Sequence, residues 1–190
     1  MKNYPTALQC ALLVSALSLS SVMLAETTTS TTTTTRDRSA TSTVGTNSNL
    51  SHSDRSFFEK AAKSGVKEVA ISQTVGDRLV NPQIKQFAQM MVSDHSKANS
   101  ELMALAASKG VVLPAKDTKE MKFEEKWSKK TKGVDEDYMD EMVSDHKDAV
   151  DLFEKAAKSE DPDIAAFARK TLPTLQQHLT MAKDLHKMSK

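Results

Sequence analysis

Asn81-Pro82-Gln83-Ile84-Lys85-Gln86-Phe87-Ala88 returns later in the chain as Asp161-Pro162-Asp163-Ile164-Ala165-Ala166-Phe167-Ala168. Each copy begins with an Asn or Asp that can cap a helix. A proline follows, and in a first helical turn its missing N–H costs nothing. The same dipeptide stops whatever helix precedes it, because the residue before proline is driven out of the helical region. Two such stops at corresponding places define two helical hairpins, pairing the second helix with the fourth and the first with the third. The chain therefore reads as all-α, a pseudo-twofold four-helix bundle.

Apolar spacing of three and four fills in the helices. The first starts near Asp54 as N-cap and carries Phe58, Ala62, Gly65, Val69, Gly76 and Val80 on one side, with its glycines letting a neighbour approach closely. The second presents Ile84, Ala88, Met91, His95, Asn99, Leu102 and Ala106, and ends at Lys109-Gly110. The third, about Asp135 to Ser159, presents Met139, Met142, His146, Val150, Phe153 and Ala157. The fourth presents Ile164, Phe167, Thr171, Leu175, His178, Ala182 and Leu185, with Pro173 expected to kink it. Val111 to about Gly133 is far longer than the usual link of about two to eight residues between antiparallel neighbours. It suits a crossover along the bundle containing a short charged helix, Thr118 to Lys130, pinned by Met121, Phe123 and Trp127.

A second repeat, Met91-Val92-Ser93-Asp94-His95 and Met142-Val143-Ser144-Asp145-His146, puts a histidine on each of two apolar stripes. His178 does the same in the fourth helix. Counted from the hairpin turns, Glu68 lies level with His95, while His146 and His178 differ by four residues, about 6 Å of helix, unless the Pro173 kink absorbs it. Glu68 falls on the shoulder of its stripe, near Ala61, Ser72 and Leu79. Buried without partners, these groups would cost several kcal/mol, so they either hydrogen-bond one another or share a cation. Neutral imidazoles with one carboxylate suit Zn, Cu, Ni or Fe(II), making Glu68, His95, His146 and His178 the candidate metal ligands. Asp94 and Asp145 lie about 100° round the helix from their histidines, which assigns them to supporting or surface roles. His52 and His186 lie off the stripes.

The 190 residues divide by composition into three parts. Residues 1–25, with Lys2 before the apolar run Ala11 to Leu19 and small residues up to Ala25, have the outline of a secretory signal peptide. An uncleaved leader would tether the chain to a membrane. Residues 26–53 are rich in Thr and Ser, including Thr31 to Thr35, and lack the apolar content to offset ordering, so they read as a disordered linker. Residues 54–190 form the bundle. The sole cysteine, Cys10, lies in the leader, so the exported form has no thiol for disulfides, metal thiolates or nucleophilic catalysis. Of 26 Lys and Arg, one is lost with the leader, leaving 25 against 25 Asp and Glu. That balance gives no basic face for nucleic acid.

From Phe57 to Leu185 the chain resembles a family of exported bacterial domains of unknown function, often labelled "predicted outer membrane protein", which belongs with the ferritin-like folds. The resemblance rests on Glu68, Phe87-Ala88, Met91-Val92, Asp94-His95, Tyr138, Met142-Val143, His146, Phe167-Ala168, Leu172-Pro173 and His178-Leu179. It implies a ferritin-like four-helix bundle and carries no agreed activity. Di-iron members of that fold place a Glu on each of two helices and Glu-x-x-His on the other two. Here Glu68 and His146 stand at the lone-carboxylate positions and His95 and His178 at the histidine positions. Val92 and Leu175 stand where the preceding Glu would be. The missing bridging carboxylates argue against oxygen activation and iron storage and leave room for a single ion. The expectation is a periplasmic, non-enzymatic bundle holding one transition-metal ion, in metal handling or envelope stress. The alternative is a structural or protein-interaction module of the envelope with a metal-free polar layer.

Overall fold

The computed structural model describes residues 50–113, 115 and 118–190. The leader and most of the linker expected from the sequence lie outside the described residues. Regular structure among the described residues is helical throughout: α1 His52–Val75, α2 Pro82–Ser108, α3 Thr118–Lys129, α4 Val134–Ala156 and α5 Pro162–Met188. α1 packs along α2 and α4 along α5, and the two hairpins meet through α1 with α4 and α2 with α5. α3 lies against α1, burying Trp127 and half-burying Phe123, whereas Met121 stays exposed and pins nothing.

Local chemistry sets the helix ends. Asn81 accepts from Gln83 N at 2.9 Å, and Asp161 accepts from Asp163 N at 3.0 Å and Ile164 N at 3.2 Å, so both repeated turns start helices by N-capping. The N-cap of α1 lies three residues before the expected one. Ser51 is the N-cap, its Oγ accepting from Asp54 N at 3.0 Å and donating to Asp54 Oδ2 at 2.7 Å. Asp54 also accepts from Ser159 Oγ at 2.7 Å, fastening the start of α1 to the α4–α5 turn. α2 ends at the expected place, with Gly110 at φ 68°. Asp135 accepts from Val80 N at 2.9 Å and Asn81 N at 2.8 Å, tying the first hairpin turn to the start of α4. Arg78 donates to the carbonyls of Trp127 and Thr74, at 2.9 and 2.7 Å, and to that of Lys130, holding the end of α3.

Two sequence expectations for α1 are corrected. The helix stops at Val75, followed by a turn closed by Arg78 N and Leu79 N on Val75 O, and Val80 is 86% exposed instead of inward. The buried face is also rotated from the expected stripe. It runs through Phe57, Phe58, Ala61, Gly65, Glu68, Ile71, Ser72 and Val75, while Ala62 and Val69 are half-buried. Two polar members, Glu68 and Ser72, broke the apolar periodicity on which the expected stripe was centred. Gly65 does admit a neighbour: a Cβ there would lie 2.0 Å from Asn99 Oδ1. α5 continues through Pro173, whose ring is exposed.

The core forms two clusters. One holds Phe57, Phe58, Phe153 and Phe167 with Leu102, Ile164 and Leu175. The other holds Met91, Met139 and Met142 with Phe87, Tyr138, Ile71 and Trp127. Between them lies the polar layer.

Candidate metal centre

Each of the four long helices contributes one residue to this layer. Glu68 and His146 are 0% exposed, His178 2% and His95 6%, so Glu68 lies as deep as any histidine and not on a shoulder. The ring centroids of His95, His146 and His178 are 5.4 Å apart in every pair. One potential ligand atom from each of these three lies within 4.8 Å of the others. The one-turn offset expected between His146 and His178 is therefore absent. Glu68 lies 7 residues before the end of α1 and His95 13 past the start of α2, while His146 lies 10 before the end of α4 and His178 16 past the start of α5. The difference is six residues in both hairpins, so their geometry brings both pairs to one level.

Hydrogen bonds to the outer side of two rings fix which nitrogen faces inward. His146 Nδ1 donates to Met142 O at 2.9 Å, one turn back on its own helix, leaving Nε2 inside. His178 Nε2 donates to Asp94 Oδ2 on α2 at 3.0 Å, leaving Nδ1 inside. A carbonyl and a carboxylate in these places are the usual outer partners of metal-binding imidazoles, which they orient and make more basic. Glu68 is held from the opposite side, its Oε1 accepting from Ser64 Oγ at 3.3 Å, so that Oε2 points into the layer.

The inward atoms Glu68 Oε2, His95 Nε2, His146 Nε2 and His178 Nδ1 are all buried without a hydrogen bond among the described residues. Glu68 Oε2 is 2.8 Å from His95 Nε2, yet misaligned for a hydrogen bond, so the two meet as opposite charges. Its 3.6 Å separation from His146 Nε2 is too long for one. Lone pairs that crowd together and do not point at one another are what a shared central cation requires. Three buried histidines with ligand atoms this close could hold a metal ion.

Electrostatics divides the layer. Burial acts to raise the Glu68 pKa, but the charge and contact of His95 outweigh it and pull the carboxyl down to about 2. Burial disfavours the charged form of His95, and the Glu68 carboxylate more than compensates, holding it above its usual value. Burial keeps His146 below its usual value. Burial, with repulsion from His95 and then His146, takes His178 down to about 4. Burial thus favours the neutral form of His146 and His178, while the Glu68 carboxylate favours the charged form of His95.

The two aspartates of the repeated motif diverge. Asp94 orients His178 across the helix interface. Asp145 accepts from Lys67 Nζ at 2.8 Å, and Lys67 also donates to Glu141 at 2.6 Å and lies 4.6 Å from the centre of the Phe123 ring. Burial, partly offset by Lys67, pushes Asp145 up to about 6. Sequence reasoning assigned neither a partner and missed Ser64; the spacing Ser64 to Glu68, one turn, was the available signal. Tyr138, buried beside the layer, hydrogen-bonds Ser72 Oγ at 2.8 Å. His52 is exposed at the start of α1, and His186 pairs with Asp140 at 2.6 Å, both away from the layer.

Fold and layer together define a ferritin-like four-helix bundle with a buried three-histidine cluster. The chain belongs to the family described as Domain of unknown function (DUF4142), whose model matches residues 39–185. The resemblance read from the sequence pointed to such a family. Among solved structures the chain is similar to the crystal structure of a DUF305 fragment from Deinococcus radiodurans, with a TM-score of 0.61 and 12% identity over 72% of this chain and 97% of that one. At that identity the likeness shows the fold alone. No curated protein matches the chain. Among the described residues no helix is long and apolar enough to cross a membrane.

Proposed function

We propose that this is an exported, non-enzymatic bundle whose core binds one divalent transition-metal ion through Glu68, His95, His146 and His178, serving metal handling or envelope stress in the periplasm. One observation carries the reading: four buried potential ligand atoms, one from each long helix, converge without hydrogen bonds among the described residues. Each such group costs about 1–3 kcal/mol when left unpaired, and a shared cation removes the cost from all four. The leader outline at residues 1–25 supports export. Elemental analysis of the purified protein is expected to find one ion per chain, and Zn, Cu, Ni or Fe(II) to raise the unfolding temperature of the stripped protein. The absence of both a stoichiometric ion and a thermal shift would sink the proposal. Full loading in a His95→Ala, His146→Ala double variant would remove these ligands from it.

The Glu68–His95 charge pair favours a second reading, in which the layer holds no ion and only fixes the register of four helices within a structural or interaction module of the envelope. Its mark is cooperative unfolding of metal-free protein, at a midpoint no transition metal changes.

A further inference from the structure

A cavity adjoins the histidine layer. Its volume is about 40 Å³; it is lined at one end by Glu68, His95 and His178 and extends into the phenylalanine half of the core, and His146 does not border it. A water needs about 10–15 Å³ on this measure, so the space suits a guest of two or three heavy atoms. Its walls are mainly apolar, with Ala61 of α1 and Ala149 of α4 supplying small side chains.

Asn99 is the polar group of interest in that wall. It lies one turn beyond His95 on the same face of α2 and is half-buried. It occupies the place a side chain at position 65 would take, since a Cβ on Gly65 would sit 2.0 Å from Asn99 Oδ1 and 2.9 Å from its Cγ. A glycine in a helix interior is destabilising in itself, and what this one makes room for is the Asn99 amide.

We propose that an ion in the histidine layer keeps one coordination position facing this cavity. That position takes an exchangeable small ligand, a water or a monoanion of up to three heavy atoms, with the Asn99 amide as its hydrogen-bond donor. The inference rests on the metal reading. Three neutral imidazoles and one carboxylate leave a divalent ion with a single net positive charge, which a monoanion neutralises. A dianion would bring an unbalanced charge into an apolar space and is disfavoured there. Exchange is a plain ligand substitution: the anion's lone pair takes the position, and the water leaves with its own.

The test uses Co(II) as the ion, since its visible bands report coordination, and azide as the probe. Cobalt-loaded protein is expected to show a saturable azide-dependent change in those bands, with sulfate inert. Ala149→Leu, which fills the cavity without touching a ligand, is expected to keep one cobalt per chain and weaken azide at least tenfold. Asn99→Ala should also weaken azide while leaving cobalt stoichiometry intact. If Ala149→Leu fails to fold, Ala61→Val fills the space from the opposite helix. Bound cobalt with bands indifferent to azide in the unmodified protein, or wild-type azide affinity in a folded cavity-filled variant, overturns this inference and leaves the metal reading standing. Failure to bind cobalt, zinc, copper, nickel or iron overturns both.

Discussion

The two halves of the core on either side of the histidine layer are built from different materials. In one, Phe57, Phe153 and Phe167 form a ring cluster, with centroids 5.1, 6.0 and 6.4 Å apart, and Phe58 packs against Phe57 at 5.8 Å. In the other, Met91, Met139 and Met142 pack around Phe87, whose ring lies 6.4 Å from both His146 and His178 and closes that side of the layer. Rigid rings interlock with one another and leave a gap where they meet the polar layer. Flexible thioether chains adapt to the irregular floor beneath it. The cavity accordingly lies on the phenylalanine side.

The largest break in this comparison should come from Phe58→Ala. The ring is fully buried, and its removal is expected to cost about 3–5 kcal/mol, read as a lower midpoint in urea unfolding of metal-free protein. At the opposite pole, Met142→Leu should cost under about 1.5 kcal/mol because the volume is kept and the neighbours can adjust. Equal losses from the two would show that the halves do not differ in rigidity.

The layer itself is broken by acid. His178 has a folded pKa of about 4, below its ordinary value, so below pH 6.5 the unfolded chain takes up a proton that the native site resists. Stability from this group falls as pH drops from about 6.5 to 4, by roughly 2–3 kcal/mol. Asp145, raised to about 6, acts in the opposite sense: its share of stability is complete below its unfolded value and is lost as pH rises through 6. A His178→Gln variant retains Asp145, so comparing its slope with that of the unmodified protein over this window isolates the histidine. Parallel slopes would show that His178 is not buried in its neutral form.

A finer contrast lies within the repeated motif. Asp94→Asn should weaken metal binding about 10–100-fold, the usual loss when the outer partner of a ligating imidazole is changed. Asp145→Asn should change it less than threefold, because Asp145 serves Lys67 and not a ligand. Competition against a chromophoric chelator measures both, and equal effects would dissolve the distinction between the two copies.

Much of the architecture was legible. Asn81-Pro82 and Asp161-Pro162 carry their caps and breaks locally, so two hairpins follow from residues adjacent in sequence. His95, His146 and His178 stood out on stripes that were otherwise mostly apolar, and the length of the Val111–Gly133 segment announced a crossover. Glu68 was harder to place because Ser72, one turn on, is also polar, and together they shifted the apparent apolar face. The levels of His146 and His178 depended on hairpin geometry that counting residues does not supply. The Asp94–His178 bond joins two helices 84 positions apart, and nothing in either segment alone distinguishes it from the pairing of Asp145 with Lys67.

Glu68 and His95 belong to one hairpin, His146 and His178 to the other. Each hairpin rests on contacts between consecutive helices and can form quickly from local encounters, but neither assembles more than half of the layer. A guest held by all four side chains acts as a clasp that closes only after the hairpins dock. Its binding energy then leaves the rate of hairpin formation untouched and appears as slower separation of the docked halves.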